Sequence, residues 1–280
     1  MTAPVDTPSD KGVQTPAPAS APPGDRPPMS REMYELLDSV PDTYWRYVAR
    51  HELFIALWRK HRTPKPPGHP YRVLDVGCGA GGLLAYLAKR EPIQPVGIDL
   101  FPDTLPYCVR RGVRLVSAAD ATAMPFPDAA FDFVVAQDAV EHIEDDLKAL
   151  REIRRVTAPG GLALVLVPAY QSMWSARDVA LRHFRRYRLG PLAGRVRAAG
   201  FEVVRRTYTD CSLMPPMWLA VRLAPKTPDG LANLSGEAAP GSKGLGRVVL
   251  LAVARAEGLV ARHMPLPFGV SAVVLARRPL

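Results

Sequence analysis

Cysteine is scarce in this sequence. Its three cysteines, Cys78, Cys108 and Cys211, are far apart and odd in number. That excludes a disulfide framework and leaves no metal-ligand spacing. No metal site is expected, and the thiols are read as reduced, in a cytoplasmic protein. Long apolar runs are missing too; none reaches the roughly 18 residues that a spanning helix needs. There is no basic start followed by a short apolar core, so no signal peptide is read. Residues 1–28 hold eight prolines and no aromatic residue. Such a stretch cannot bury enough apolar surface to offset its chain entropy, and a disordered tail is expected there.

Lysine is the other shortage, outnumbered 29 to 7 by arginine. The charge is uneven. Residues 151–206 carry twelve arginines, no lysine and three acids, a balance of +9 that equals the formal charge of the whole chain. Such a stretch either meets an anionic substrate, lipid headgroup or acidic partner, or reflects a general preference for arginine. No nucleic-acid-binding module accompanies it, and no nucleic acid is expected as a partner.

What is present centres on residues 72–82. A β-branched, apolar run ends at Asp75 and Val76, glycines follow, and a helical pattern begins at Leu83. Strand, glycine turn and helix form the first crossover of a nucleotide-type α/β unit. Gly77, Gly79 and Gly82 fit G-x-G-x-x-G, while Gly77, Gly79 and Gly81 fit G-x-G-x-G. The loop alone does not choose its ligand. Asp75 tilts the choice, because a carboxylate there repels a pyrophosphate and attracts an ammonium.

Alternation of strand and helix signals continues along the chain. Strands are predicted at 72–76, 95–99, 113–117, 131–137, 161–167, 201–209 and 270–276, and helices at 82–90, 102–111, 142–156 and 189–199. This is an α/β pattern, a mostly parallel sheet with helices on both faces and its ligand at the carboxyl ends of the strands. Residues 29–70 read as an N-terminal helical segment, interrupted at Pro41 and restarted by an Asp42-Thr43 cap. Asp99 ends the second strand, 22 residues after Gly77, where a carboxylate can accept from both ribose hydroxyls. Residues 211–265 interrupt the last two strands. They include an apolar helix over 246–263 and a Pro/Gly/Ser-rich, mobile stretch at 225–243. So apolar a helix predicts a lid, a homodimer contact or peripheral contact with a membrane.

The run Val73-Leu74-Asp75-Val76-Gly77-Cys78-Gly79-Ala80-Gly81 resembles motif I of the class I S-adenosylmethionine-dependent methyltransferases. Over about residues 30–280 the chain looks like the small-molecule subgroup that includes quinone-biosynthesis enzymes. The segments Ala118–Ala121, Ala123–Asp132 and Pro159-Gly160-Gly161 also resemble that family. The resemblance implies a Rossmann-like, seven-stranded sheet with a methyltransferase domain over 71–280. It implies S-adenosyl-L-methionine as cofactor, held by Asp75, Gly77, Cys78, Gly79, Gly81, Asp99, Leu100, Asp120, Ala121, Gln137 and Arg50, with Tyr44 and Trp45 nearby. Asp120 and the Ala121 amide would meet the adenine. The loop over 168–188 is similar to a Trp-Ser-x-x-Asp and His-x-Arg-Arg-Tyr pattern in the family. It is expected to bring Tyr170, Trp174, Arg186 and Tyr187 to a small-molecule acceptor, anionic or lipid-linked, methylated at oxygen. His142 and His183 are the candidate bases. Two rival readings remain at this point: a nicotinamide-dependent oxidoreductase on the same loop, and a catalytically silent binding protein with the same architecture.

Overall fold

The computed structural model describes residues 44–223 and 244–280. The tail at 1–28, the first helical stretch before Tyr44 and the 225–243 segment lie outside the described residues. The helices are α1 (Trp45–His61), α2 (Gly82–Ala88), α3 (Leu105–Arg110), α4 (Asp146–Val156), α5 (Ala176–Ala180), α6 (Leu189–Ala198), α7 (Met214–Leu223) and α8 (Gly244–His263). The strands are β1 (Tyr71–Val76), β2 (Ile93–Asp99), β3 (Leu115–Ala118), β4 (Phe131–Gln137), β5 (Thr157–Pro168), β6 (Glu202–Thr209) and β7 (Ser271–Arg277).

The seven strands form one sheet in the order β3-β2-β1-β4-β5-β7-β6. Strands β1 to β5 pair in parallel, and β7 runs antiparallel between β5 and β6. Both faces are covered, so the central strands are apolar at nearly every position. Their side chains alternate between two cores. Leu74, Val134, Ala136 and Val165 join Leu150 and Ile153 of α4 and Leu192 of α6. Val73, Phe133, Val135 and Leu164 join Phe54, Leu57 and Trp58 of α1 and Leu84 of α2. Trp58 stacks on Phe133 at 5.0 Å between ring centroids and meets Tyr71 edge-on, which seats α1 against the sheet.

Several boundaries differ from the sequence expectation; the helix expected over 102–111, for one, is a 3-10 turn at Pro102–Thr104 followed by α3. Helix α1 starts at Trp45 behind Tyr44, which makes no side-chain cap bond. The stretch expected as one helix over 142–156 divides. Val140–His142 is a single 3-10 turn, and α4 begins only at Asp146, where the Asp145 carboxylate accepts from the Lys148 amide at 3.0 Å. The Pro-Gly-Gly segment lies within β5 instead of before it. Thr157 pairs with Phe131, the chain bulges, and pairing resumes at Leu162 opposite Phe133. Gly160 takes φ 74° in that bulge. The Arg278 guanidinium donates to the carbonyls of Arg155 and Thr157 at 2.8 and 2.7 Å, closing the carboxyl end of α4 with a cation.

Candidate cofactor and acceptor site

Parallel pairing sets the ends of β1, β2, β3 and β4 along one edge, with the glycine turn between β1 and α2. Gly77, Gly79 and Gly81 have φ of 74°, 48° and 79°, the left-handed region that glycine enters without a side-chain penalty. A Cβ on Gly77 would lie 2.7 Å from the Ala139 Cβ, whereas one on Gly79 would meet nothing within 4 Å. The turn is therefore packed on one side and presents bare backbone to open space on the other. Amides of Gly77 and Cys78 both donate to the Ile98 carbonyl, at 2.8 and 2.9 Å, tying the turn to β2. Gly81 caps α2 without a side-chain bond, so the helix's first amides keep their capacity for an outside acceptor.

Two carboxylates border this turn, and a third, Asp120, follows β3 along the same sheet edge. Asp75 is buried beneath it, and burial, reinforced by Cys108 and Asp99, raises its pKa well above the usual range. The Asp99 carboxylate accepts from the Gly79 amide at 2.9 Å and the Phe101 amide at 3.1 Å. Burial raises its pKa, and these amides partly offset the rise. Asp120 is exposed and accepts from the Thr122 amide at 2.7 Å, with Ala121 half-buried beside it. Leu100 is exposed. Cys78 lies 3.9 Å from Cys108, sulfur to sulfur, beneath the turn.

On the other side of β1, α1 brings Arg50 to the same edge. Its guanidinium donates to the Asp210 Oδ2 at 2.7 Å, the Ser271 Oγ at 2.6 Å and the Asp138 Oδ2 at 3.2 Å. Arg46 reaches the same Asp210 oxygen at 3.0 Å. A buried cation needs such pairing, and these carboxylates occupy the group expected at a cofactor carboxylate. Asp210 gave no sequence signal for this role; its partner lies 160 residues away. Gln137, at the end of β4, is half-buried, and its Oε1 is buried without a hydrogen-bond partner.

Beyond β4 the chain forms a second cluster. His142 and His183 rings lie edge to face, 4.6 Å apart. The His183 Nδ1 is 2.8 Å from the Asp178 carboxylate, which also accepts from the Arg186 Nε at 2.6 Å and the Ser175 amide at 2.8 Å. Burial pushes the Asp178 carboxyl up, but the hydrogen bonds from His183 and Arg186 outweigh it and hold it at about 2. An ionised carboxylate only accepts, so the His183 Nδ1 carries the proton of this bond. Burial and the neighbouring His183 lower His142 to about 4, which leaves that ring neutral at pH 7.

The 168–188 loop divides the expected acceptor residues. Arg186 is paired within the loop, and the Tyr187 hydroxyl is buried, donating to the Asp146 carboxylate at 2.8 Å. These two hold the loop down. Tyr170, at φ 57°, stacks on Tyr208 at 5.2 Å, and Trp174 is half-buried on the same loop. A cleft of about 480 Å³ lies elsewhere, lined by Glu52, Arg59, Tyr86, Arg90 and Arg262 and by no strand-end residue.

Residues 74–165 match the family model described as a methyltransferase domain. Over 117 residues the chain is 33% identical to ajmaline N-methyltransferase of Rauvolfia serpentina, covering 39% of this chain and 40% of that protein. The chain thus spans well under half the length of that curated relative. A solved [4+2]-cyclase, SpnF, is similar with a TM-score of 0.52 and 26% identity, over 82% of this chain and 81% of that one. Phosphoethanolamine N-methyltransferase 2 of Haemonchus contortus, solved with S-adenosyl-L-methionine, shares the fold with a TM-score of 0.53 at 18% identity, over 82% of this chain and 52% of that one.

Proposed function

Starting from a chain that carries a class I S-adenosylmethionine-dependent methyltransferase domain, we propose that it methylates an oxygen of a small-molecule or lipid-linked acceptor. One observation carries the reading: a glycine turn of positive φ, open on one side, with Asp75 and Asp99 against it and Asp120 further along the same strand-end edge. Three carboxylates suit a cationic amino-acid nucleoside and oppose a pyrophosphate. Asp99 takes the ribose hydroxyls, Asp120 and the Ala121 amide take the adenine, and the turn takes the amino-acid portion. When bound, S-adenosyl-L-methionine supplies a methyl already activated by its sulfonium.

The protein's own work is then mostly positioning, which can supply several kcal/mol of the barrier reduction. An oxygen acceptor must also lose a proton, and the His142–His183 pair, oriented by Asp178, stands beyond the end of β4 to receive it. A lipid-linked acceptor is favoured by the exposed Trp218, Leu219, Leu223, Leu245, Val248 and Val249 of α7 and α8. Arg222 and Arg247 share these helices, and apolar plus basic surface matches an anionic lipid interface. Among the described residues no helix is long and apolar enough to cross a membrane.

The test is Asp99→Ala. Calorimetry with S-adenosylhomocysteine should show affinity weakened at least about tenfold, from the loss of hydrogen bonds to a charged group. Wild-type affinity in that variant would remove the site from the strand-end carboxylates.

A further inference from the structure

The fold brings Glu141, His142 and His183 together, and their ligand atoms all lie within 4.8 Å of one another. Glu141 and His142 share the 3-10 turn after β4, while His183 follows α5. Glu141 is fully buried, and both of its carboxylate oxygens are without a hydrogen-bond partner. A buried carboxylate left unpaired is costly, and buried charges are ordinarily paired or coordinate a metal. His183 is already oriented from behind. Its Nδ1 is bonded to Asp178, and Asp178 is fixed in turn by Arg186 and by the Ser175 capping box. A carboxylate behind an imidazole in this way sets the tautomer and ring direction of a metal ligand. Two backbone bonds pin the arrangement: the Phe184 amide donates to the Glu141 carbonyl at 2.8 Å, and the His183 amide to the Asp178 carbonyl at 2.9 Å.

We propose that Glu141, His142 and His183 bind one divalent first-row transition metal ion at the mouth of the acceptor site. Two imidazoles and one carboxylate form a donor set suited to zinc and its neighbours. Three protein ligands leave a position for a small oxygen ligand. The role of that position rests on the oxygen-methyltransferase reading: an acceptor hydroxyl placed there loses its proton to solvent more readily. The new O–C bond then forms as the S–C bond breaks, with the electron pair staying on sulfur. The imidazoles act as ligands in this form and not as bases.

The experiment measures metal directly. Protein stripped with chelator is titrated with zinc by calorimetry and with cobalt by visible absorption. One equivalent should bind, with a cobalt spectrum showing nitrogen and oxygen ligands. His183→Ala and Glu141→Gln should each weaken binding by more than about tenfold, and Asp178→Asn by about 10–100-fold. Circular dichroism identifies any variant that fails to fold, and for those the wild-type cobalt spectrum decides. Three results overturn the proposal: no binding to the wild type, unchanged binding in folded His183→Ala, or thiolate charge-transfer bands placing the ion at Cys78 and Cys108. Calorimetry with S-adenosylhomocysteine on the same stripped protein separates this failure from a failure of the cofactor site.

Discussion

At Gly77 a side chain has no room and the wrong backbone. Its φ of 74° strains any L-residue, and the added Cβ would sit 2.7 Å from that of Ala139. Gly79 shares the positive φ but faces open space. The two positions therefore separate folding from binding. Gly77→Ala should cost about 1–3 kcal/mol of stability by chemical denaturation. Gly79→Ala should cost less and lose most of its affinity for S-adenosylhomocysteine, because its methyl enters the space the ligand needs. Equal losses of stability in both variants would contradict this division. These glycines, with Asp75, Asp99 and Asp120, were legible in the sequence because each lies at a strand end that local patterning marks. Asp210 and Asp178 were not. The partner of Asp210 is on α1, 160 residues away, and the value of Asp178 depends on a loop fold that returns His183 and Arg186 to it. The third ligand of the metal cluster was hidden likewise, because Glu141 and His183 meet only in space.

Elements were read from periodicity, and periodicity reports burial. The strands β1, β4, β5 and β7 alternate strictly between two cores, so their apolar runs were plain. The start of α4 was placed at 142 and lies at Asp146, because His142 closes a 3-10 turn that is not continuous with the helix. The Pro-Gly-Gly bulge was misread because β5 continues on both sides of it. The helix α8 was foreseen, and its exposure gives the apolar reading content. Only Ala261 is buried among its described residues, and polar bonds hold it: Arg255 to Glu52 at 2.6 Å, and Glu257 to the amides of Cys211 and Ser212 at 2.9 and 2.6 Å. Replacing Leu245 and Val249 together by Glu should therefore change stability by no more than about 0.5 kcal/mol each. It should also abolish co-sedimentation of the protein with anionic phospholipid vesicles. If sedimentation velocity instead shows a wild-type dimer that these substitutions split, the face is a contact between two copies.

Across the whole molecule, one buried histidine links stability to pH. His51 sits between Phe54 and Tyr86. Burial, then the charge of Arg50 and more weakly that of Arg90, lower its pKa to about 3. In the unfolded chain the ring titrates near about 6.5. Between those values the unfolded state holds a proton that the folded state does not, so stability is full above the unfolded value and declines as the pH falls toward the folded one. The slope is about 1.4 kcal/mol per pH unit, or about 2 kcal/mol between pH 7 and pH 5. Urea unfolding at those two values should show it, and His51→Phe should remove that portion of the slope; an unchanged slope in the variant would place the effect elsewhere. The seating of α1 has a further consequence, in time. Its outer side is fastened by Arg255, 203 residues later in the chain, and its last carbonyl by Arg277, 216 residues later. At about 5–20 residues per second of synthesis, about 10–40 s separate Glu52 from Arg255 on a ribosome. The glycine turn and β1 to β4 emerge within that interval, while Arg50 still lacks Asp210 and Ser271. The turn that faces the ligand is thus complete in sequence well before the residues that pair Arg50 and fasten α1.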